Sequence, residues 1–389
     1  MLNNKPLITV LLAGAGLACA SGADAALSST GREFNPAVGL ILNGHYAHYS
    51  HSVTDRQMNG FLLGPEAGLM AEGLSLDESE LDVSSNIDDK FYGFSAISFG
   101  ESDVSVEEAY LQTLTLPAGL TVKAGRFLSD VGYQNSHHAH TWDFIDVPVA
   151  YEAIMGGQYG DNGVQVSWLA PTDIYTRLGV ELMNGGSFPA GGSADGGVGV
   201  KVVFAQFGSD VGDSNSWQAG VSWMSADAVD RESLNAGPTF TGNSDIAIAH
   251  FVWKWAPHGN WHDRNFKFQS EFLHRKEDGT VADGANSGAY SGTQNGWYLQ
   301  GTWQWRPQWR VGLRYGQASA DNAVAGLAAA TPLAASGTPK RTSAMVDFSN
   351  SEFSLLRLQY NRDETGAQGD NQIYLQYIMS LGAHGAHQF

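Results

Sequence analysis

Cysteine is almost missing: Cys19 is the single one in 389 residues, and it lies within the first 25. If that stretch is removed, the mature chain has no disulfide, no thiolate metal site and no cysteine nucleophile. Long apolar runs are also lacking. Beyond the N-terminus no 18 consecutive residues are apolar, which excludes a bundle of membrane helices. Cations are few, 21 Lys and Arg against 40 Asp and Glu, for a net charge of −19. A nucleic-acid binder needs a basic surface, so that class is excluded. No G-x-S-x-G occurs, and with it goes one common hydrolase signature. Nor is there the 40–50-residue repeat of a propeller.

What is present begins with an export signal. Lys5 precedes an apolar run from Leu7 to Leu17, and Ala23-Asp24-Ala25 has the small-x-small form of a cleavage site. The run is shorter than the roughly 20 residues of a spanning helix. Residues 1–25 therefore read as a cleaved signal peptide, and 26–389 as the mature domain.

The mature part alternates with period two. Trp297, Leu299, Gly301, Trp303 and Trp305 share one face, with Tyr298, Gln300, Thr302 and Gln304 on the other. After the turn at Pro307-Gln308, Trp309, Val311, Leu313 and Tyr315 oppose Arg310, Gly312, Arg314 and Gly316. Similar segments are expected at 34–49, 74–86, 89–99, 104–116, 120–128, 153–159, 163–170, 173–184, 197–208, 216–225, 245–256, 265–276, 296–306, 309–319, 342–349, 353–362 and 371–382. Short turns such as 86–89, 170–172 and 306–308 alternate with long Gly-, Ser-, Ala- and Asp-rich stretches at 184–197, 226–244, 277–295 and 317–341. An all-β transmembrane antiparallel barrel of about 16 strands follows, in the outer membrane of a Gram-negative bacterium. Within hydrocarbon only closed strand pairing satisfies the backbone. Aromatics at strand ends suit the two membrane interfaces. The alternating 373–381, ahead of a tail ending in Phe389, is the expected signal for the barrel insertion machinery.

Such a barrel passes small hydrophilic solutes or ions. Arg177, Lys267, Arg310, Arg314 and Arg357 occupy polar-face positions and are expected either to line the pore as a ladder opposite Glu181 and Glu271 or to form structural ion pairs inside the barrel. The segment from Ser129 to Tyr151 is either a constriction folded into the bore or a plain external loop. Acidic external loops would attract cations, or divalent ions that bridge lipopolysaccharide. His137, His138 and His140, with Asp143 nearby, are candidate ligands for Zn2+, the more so if His138 and His140 find a distant third partner. Other histidines group at His45, His48 and His51, and at His384 and His387. His250 and His274 are the strand-borne candidates for acid–base work, although catalysis is not expected.

Four runs carry a resemblance: 86–93, 120–127, 138–144 and 156–161. Together they resemble a proteobacterial family of porin-like outer-membrane proteins, over most of the mature chain. The Val122-Lys123-Ala124-Gly125-Arg126-Phe127 element also looks like the phosphate-selective porin superfamily. Some members of the nearer family are labelled zinc-regulated TonB-dependent outer-membrane receptors. That label implies zinc as context and as cargo, and makes a zinc-binding uptake receptor the alternative to passive passage. A receptor of that type has a plug ahead of about 22 strands, whereas alternation here starts by Val38. Porins are commonly homotrimers, so the resemblance also implies a trimer.

Overall fold

In the computed structural model, residues 36–51, 56–101, 103–191, 197–234, 237–327 and 332–382 are described. The expected signal peptide, Cys19 and the tail with His384, His387 and Phe389 lie outside them.

Seventeen strands form one antiparallel sheet. In chain order they are β1 (Ala37–Tyr49), β2 (Gly73–Leu76), β3 (Ser79–Asn86), β4 (Phe91–Phe99), β5 (Val104–Thr113), β6 (Leu120–Leu128), β7 (Gly160–Leu169), β8 (Tyr175–Met183), β9 (Val200–Val211), β10 (Asn215–Arg231), β11 (Thr239–Trp255), β12 (Asn265–Asp283), β13 (Asn286–Arg306), β14 (Trp309–Val324), β15 (Lys340–Ser351), β16 (Ser354–Glu364) and β17 (Asp370–Gly382). β2 and β3 follow one another along the same edge of β1, so they make one interrupted stave. The barrel therefore has 16 staves, and it closes where β1 pairs with β17 from Gly39↔Gly382 to Tyr49↔Gln372.

The alternation read from sequence sets the faces. Tyr298 is 0% exposed inside, while its neighbour Leu299 is 44% exposed outside. Valines, leucines and phenylalanines of every stave point outward in the same way, for instance Val180, Phe272, Leu313 and Leu375. At the short-turn end an outer belt of rings packs together. Trp255 stacks on Trp303 at 5.8 Å, and Trp309 meets Phe348 at 5.0 Å. Amphipathic rings favour that interfacial depth.

Two expectations are corrected. The stretch 153–159 is not a strand. Its first three residues close a helix, α1 (Val149–Met155), every residue of which is buried, and which ends at Gly156 in the left-handed conformation (φ 73°); 157–159 then lead into β7. Its apolar residues pack on all sides, so no period-two pattern governs it. Second, much of 226–244, nearly all of 277–295 and the start of 317–341, as far as Val324, are strand rather than loop. β13 runs for 21 residues, about 70 Å of chain at roughly 3.3 Å per residue, against the 9–11 residues a bilayer requires. Above the lipid the outer face of the wall is mostly polar or small, while Phe240, Val281 and Tyr290 pack inward with Leu62 and Leu333, so the apolar-out pattern of the sequence lapses although backbone pairing continues. On the other side of the barrel β4 and β5 are only 9 and 10 residues long. The rim is consequently high around β10–β14 and low around β3–β5.

Candidate functional site in the bore

Between β6 and β7 the chain turns inward over residues 129–159 and crosses the barrel interior. This settles the choice left open by the sequence in favour of an internal segment. Its anchors are polar side chains of the wall. Glu271 accepts hydrogen bonds from the backbone N–H groups of Tyr133 (2.9 Å) and Gln134 (2.8 Å), and from the hydroxyls of Tyr151 (2.9 Å) and Tyr298 (2.6 Å). Glu181 accepts from the Asp130 N–H at 3.0 Å and from Gln165 at 2.7 Å. Gly132, at φ 79°, permits the close approach: a Cβ there would fall 2.2 Å from the Tyr151 hydroxyl. That is a position only glycine fills without displacing its neighbours.

The cations of the wall take the acids of the segment. Arg177 pairs with Asp130 at 2.8 Å. Lys267 and Arg310 pair with Asp143 at 2.9 and 2.7 Å. Arg314 donates to the Asp146 carbonyl at 2.6 Å and also pairs with its carboxylate, as does Arg341 at 2.7 Å. Arg341 also holds Glu152 at 2.9 Å and Asp363 at 2.7 Å. Arg357 pairs with Asp347, on the wall itself, at 2.9 Å. These cations point inward, and their partners are Asp130, Asp143, Asp146 and Asp347. Glu181 and Glu271 hold backbone instead. Burial alone would raise the Asp143 and Asp146 carboxyls. The guanidinium and ammonium groups beside them outweigh it and hold both below the ordinary carboxylate range.

A second internal segment, residues 56–72, went unread in the sequence. Arg56 pairs with Glu152 and, at 3.3 Å, with Asp363. Met58, Phe61 and Leu63 pack in one cluster with Tyr151 and Ile154. The Gly60 carbonyl accepts from Gln294 (3.1 Å) and Asn322 (2.9 Å) of the wall. No strand alternation marks this stretch; the run Phe61-Leu62-Leu63 was the available sign that it packs inside.

The histidines separate. His137 is half-buried, lies 2.8 Å from the Tyr133 carbonyl through Nδ1, and is pushed down to about 4 by desolvation and by the charge of Lys267. Asp143 is committed to Lys267 and Arg310. Neither joins the other two. His138 and His140 flank Ala139 at the start of a short 3-10 turn, 139–141, with rings 5.7 Å apart. They face Glu80 of β3 and Glu107 and Glu108 of β5. His138 Nδ1 lies 3.1 Å from Glu80 and 3.2 Å from Glu107, and Nε2 lies 2.9 Å from Glu108. Burial would lower the His138 imidazole, but these three carboxylates overcome it and hold the group well above its usual value. A bulge explains two successive acids on one face. The register passes from Ala96↔Glu108 to Ile97↔Val106, leaving Glu107 as the extra residue. The pair Glu107-Glu108, which breaks alternation, was the available signal. Of the remaining histidines, His45 is buried inside near Asp77 at 3.5 Å, while His48 is exposed outside near Glu72 and His51 is exposed beyond the strand near Asp370. His274 bonds Asn295 at 2.8 Å, and His250 stands on the inner wall 6.0 Å from the Tyr133 ring. Arg126 is on the outer face, donating to the Val106 carbonyl at 2.8 Å.

One further grouping has a regular height. Lys123, Arg177, Lys254, Lys267, Arg310 and Arg357 all point inward within a few residues of the short-turn end of their strands. Lys254 lies directly across from Lys267 in the β11–β12 ladder. Like charges placed opposite one another cost stability, which the Asp143 carboxylate offsets at Lys267.

No family model matches the chain. An uncharacterized protein of Aquifex aeolicus is 29% identical over 360 residues, covering 84% of this chain and 72% of that one. Among solved structures, the loop L8 deletion mutant of OmpT, an outer membrane protein of Vibrio cholerae, is similar with a TM-score of 0.56 at 10% identity, over 89% of this chain and 99% of that one. The anion-selective porin from Comamonas acidovorans gives 0.56 at 10% identity, over 89% and 99%. The outer membrane channel DcaP of Acinetobacter baumannii gives 0.53 at 14% identity, over 89% and 97%. At such identities the likeness is one of fold.

Proposed function

We propose that this outer-membrane barrel of porin-like fold is a diffusion channel for small hydrophilic solutes, narrowed by the 129–159 segment and biased toward anions. The observation that carries the reading is the ring of inward cations beneath that segment. Arg177, Lys267 and Arg310 are only partly buried, so they meet water as well as their partners. Narrow basic passages with low-dielectric walls concentrate anions. The overall charge of −19 argued for cations, but exposed acids such as Asp227, Asp230, Asp278 and Asp321 lie on the tall wall outside the bore.

Passage, not catalysis, is the role of these polar groups: the buried acids are occupied in docking the segment. Lipopolysaccharide and lipid surround the barrel, and the insertion machinery would place it there. Assembly as a homotrimer is part of the same reading, supported by the trimer form described for the OmpT of Vibrio cholerae. The zinc-receptor reading rests on a separate observation, the cluster of Glu80, His138 and His140.

Planar-bilayer recording of the refolded protein under a salt gradient tests the channel. Discrete ohmic steps with a reversal potential of anionic sign are expected. Absence of current from folded protein would remove the channel, and a cationic reversal potential would remove the bias.

A further inference from the structure

We propose that Glu80, His138 and His140 bind one divalent first-row transition-metal ion, with Glu107, 3.2 Å from His138 Nδ1, completing the coordination. One ligand atom from each of the three lies within 4.8 Å of the others. Glu80 Oε2 is 3.1 Å from His138 Nδ1 and 3.5 Å from His140 Nδ1. With metal–ligand bonds of about 2.0–2.2 Å, the edge of a tetrahedron is about 3.4 Å. The spacing of Glu80 from each imidazole is therefore already that of a coordination sphere. Two imidazoles beside carboxylates suit zinc, cobalt or nickel, whereas magnesium and calcium take all-oxygen shells.

Charge favours a dication as well. Three carboxylates converge on two imidazoles in a half-buried pocket. A dication seated among them would offset most of the charge of the three acids, which lie 2.9–3.2 Å from His138. Access comes from the low rim. The connection 100–103 is short, and the His138 and Glu107 side chains keep 15% and 20% of their surface. The ligands come from two separate parts of the chain, β3 with β5 and the internal segment. An ion would accordingly staple the segment to the wall on the side away from its arginine anchors. The site does not depend on the channel reading; an effect of the ion on current would.

The test uses full-length mature protein folded in detergent and stripped with EDTA, titrated with Zn2+ by calorimetry and with Co2+ by visible absorption. One ion per chain is expected, with the intense d–d bands of a four-coordinate cobalt centre and no competition from Mg2+ or Ca2+. Glu80→Gln, His138→Ala and His140→Asn should each weaken binding about 100-fold or more, since even outer partners of a metal site are worth about 10–100-fold. His137→Ala and a His384→Ala/His387→Ala double variant should bind as the parent does. Heat-modifiable migration shows that each variant has kept its barrel. No binding by the parent, binding unchanged in the three ligand variants, or binding lost only in the tail variant would each overturn the assignment. If zinc binds and no current is seen, the channel reading fails and the site stands.

Discussion

At the residue scale the bore is governed by the cost of burying charge. Moving an ion from water into protein costs several kcal/mol, and pairing offsets this only with good geometry. Asp146 shows how that is met, with Arg314 and Arg341 on its oxygens and Gln359 and Asn361 donating at 2.6 and 3.1 Å. Its folded-state carboxyl is lowered. The stabilisation is thus complete above the unfolded value, about 3.9, and is lost only as pH falls through the lower folded value. Limited proteolysis across an acid series should find the segment protected down to about pH 4 and released below it. Asp146→Asn should be cut more readily at neutral pH and lose most of that acid dependence. At the same scale, Lys267→Gln combined with Arg310→Gln removes two half-buried cations from the mouth. Anion preference is expected to fall, with the reversal potential moving toward zero; an unmoved potential would place the selectivity elsewhere.

At the element scale the internal segment is a rigid insert rather than a flap. Its helix α1 is buried on every side, Arg275 donates to the Ile154 carbonyl at 2.8 Å, and residues 56–72 pack over it. Inner-wall positions from Tyr374 of β17 to Met224 of β10 are buried against such material. Small single-channel conductance follows for the parent. Replacing 139–155 with a short Gly-Ser linker, between anchors that remain in β6 and β7, should raise conductance severalfold while the barrel stays heat-modifiable. Unaltered conductance would mean that solutes travel by a route the segment does not narrow.

At the scale of the whole molecule the wall is lopsided, high at β10–β14 and low at β3–β5. The low side carries the most exposed large apolar residues of the described strands, Leu74 at 85% and Val104 at 76%. A trimer would bring its low sides together at the centre and leave the tall acidic walls outside. Mass measurement of unheated protein in mild detergent is expected to return three chains per particle, and a single chain would remove that part of the proposal.

Local chemistry was enough for the barrel. Side chains on a strand face alternate sides whatever the rest of the molecule does, so Tyr298 against Leu299, or Arg357 against Leu358, could be assigned inward and outward from order alone. Nearly all staves were legible for that reason, and so were the inward cations. The exceptions have a common cause. The stretch 153–159 and residues 56–72 lie inside the barrel, where packing from every direction erases periodicity, and the outer face of the tall extensions stands in water, where no apolar residues are needed. Which acid meets which cation was decided only in three dimensions. Asp143 went to Lys267 and Arg310 rather than to the histidines, and Glu80 came to His138 across the bore. Those pairings join positions dozens to hundreds of residues apart, and their geometry exists only once the sheet has closed and the segment has been drawn into it.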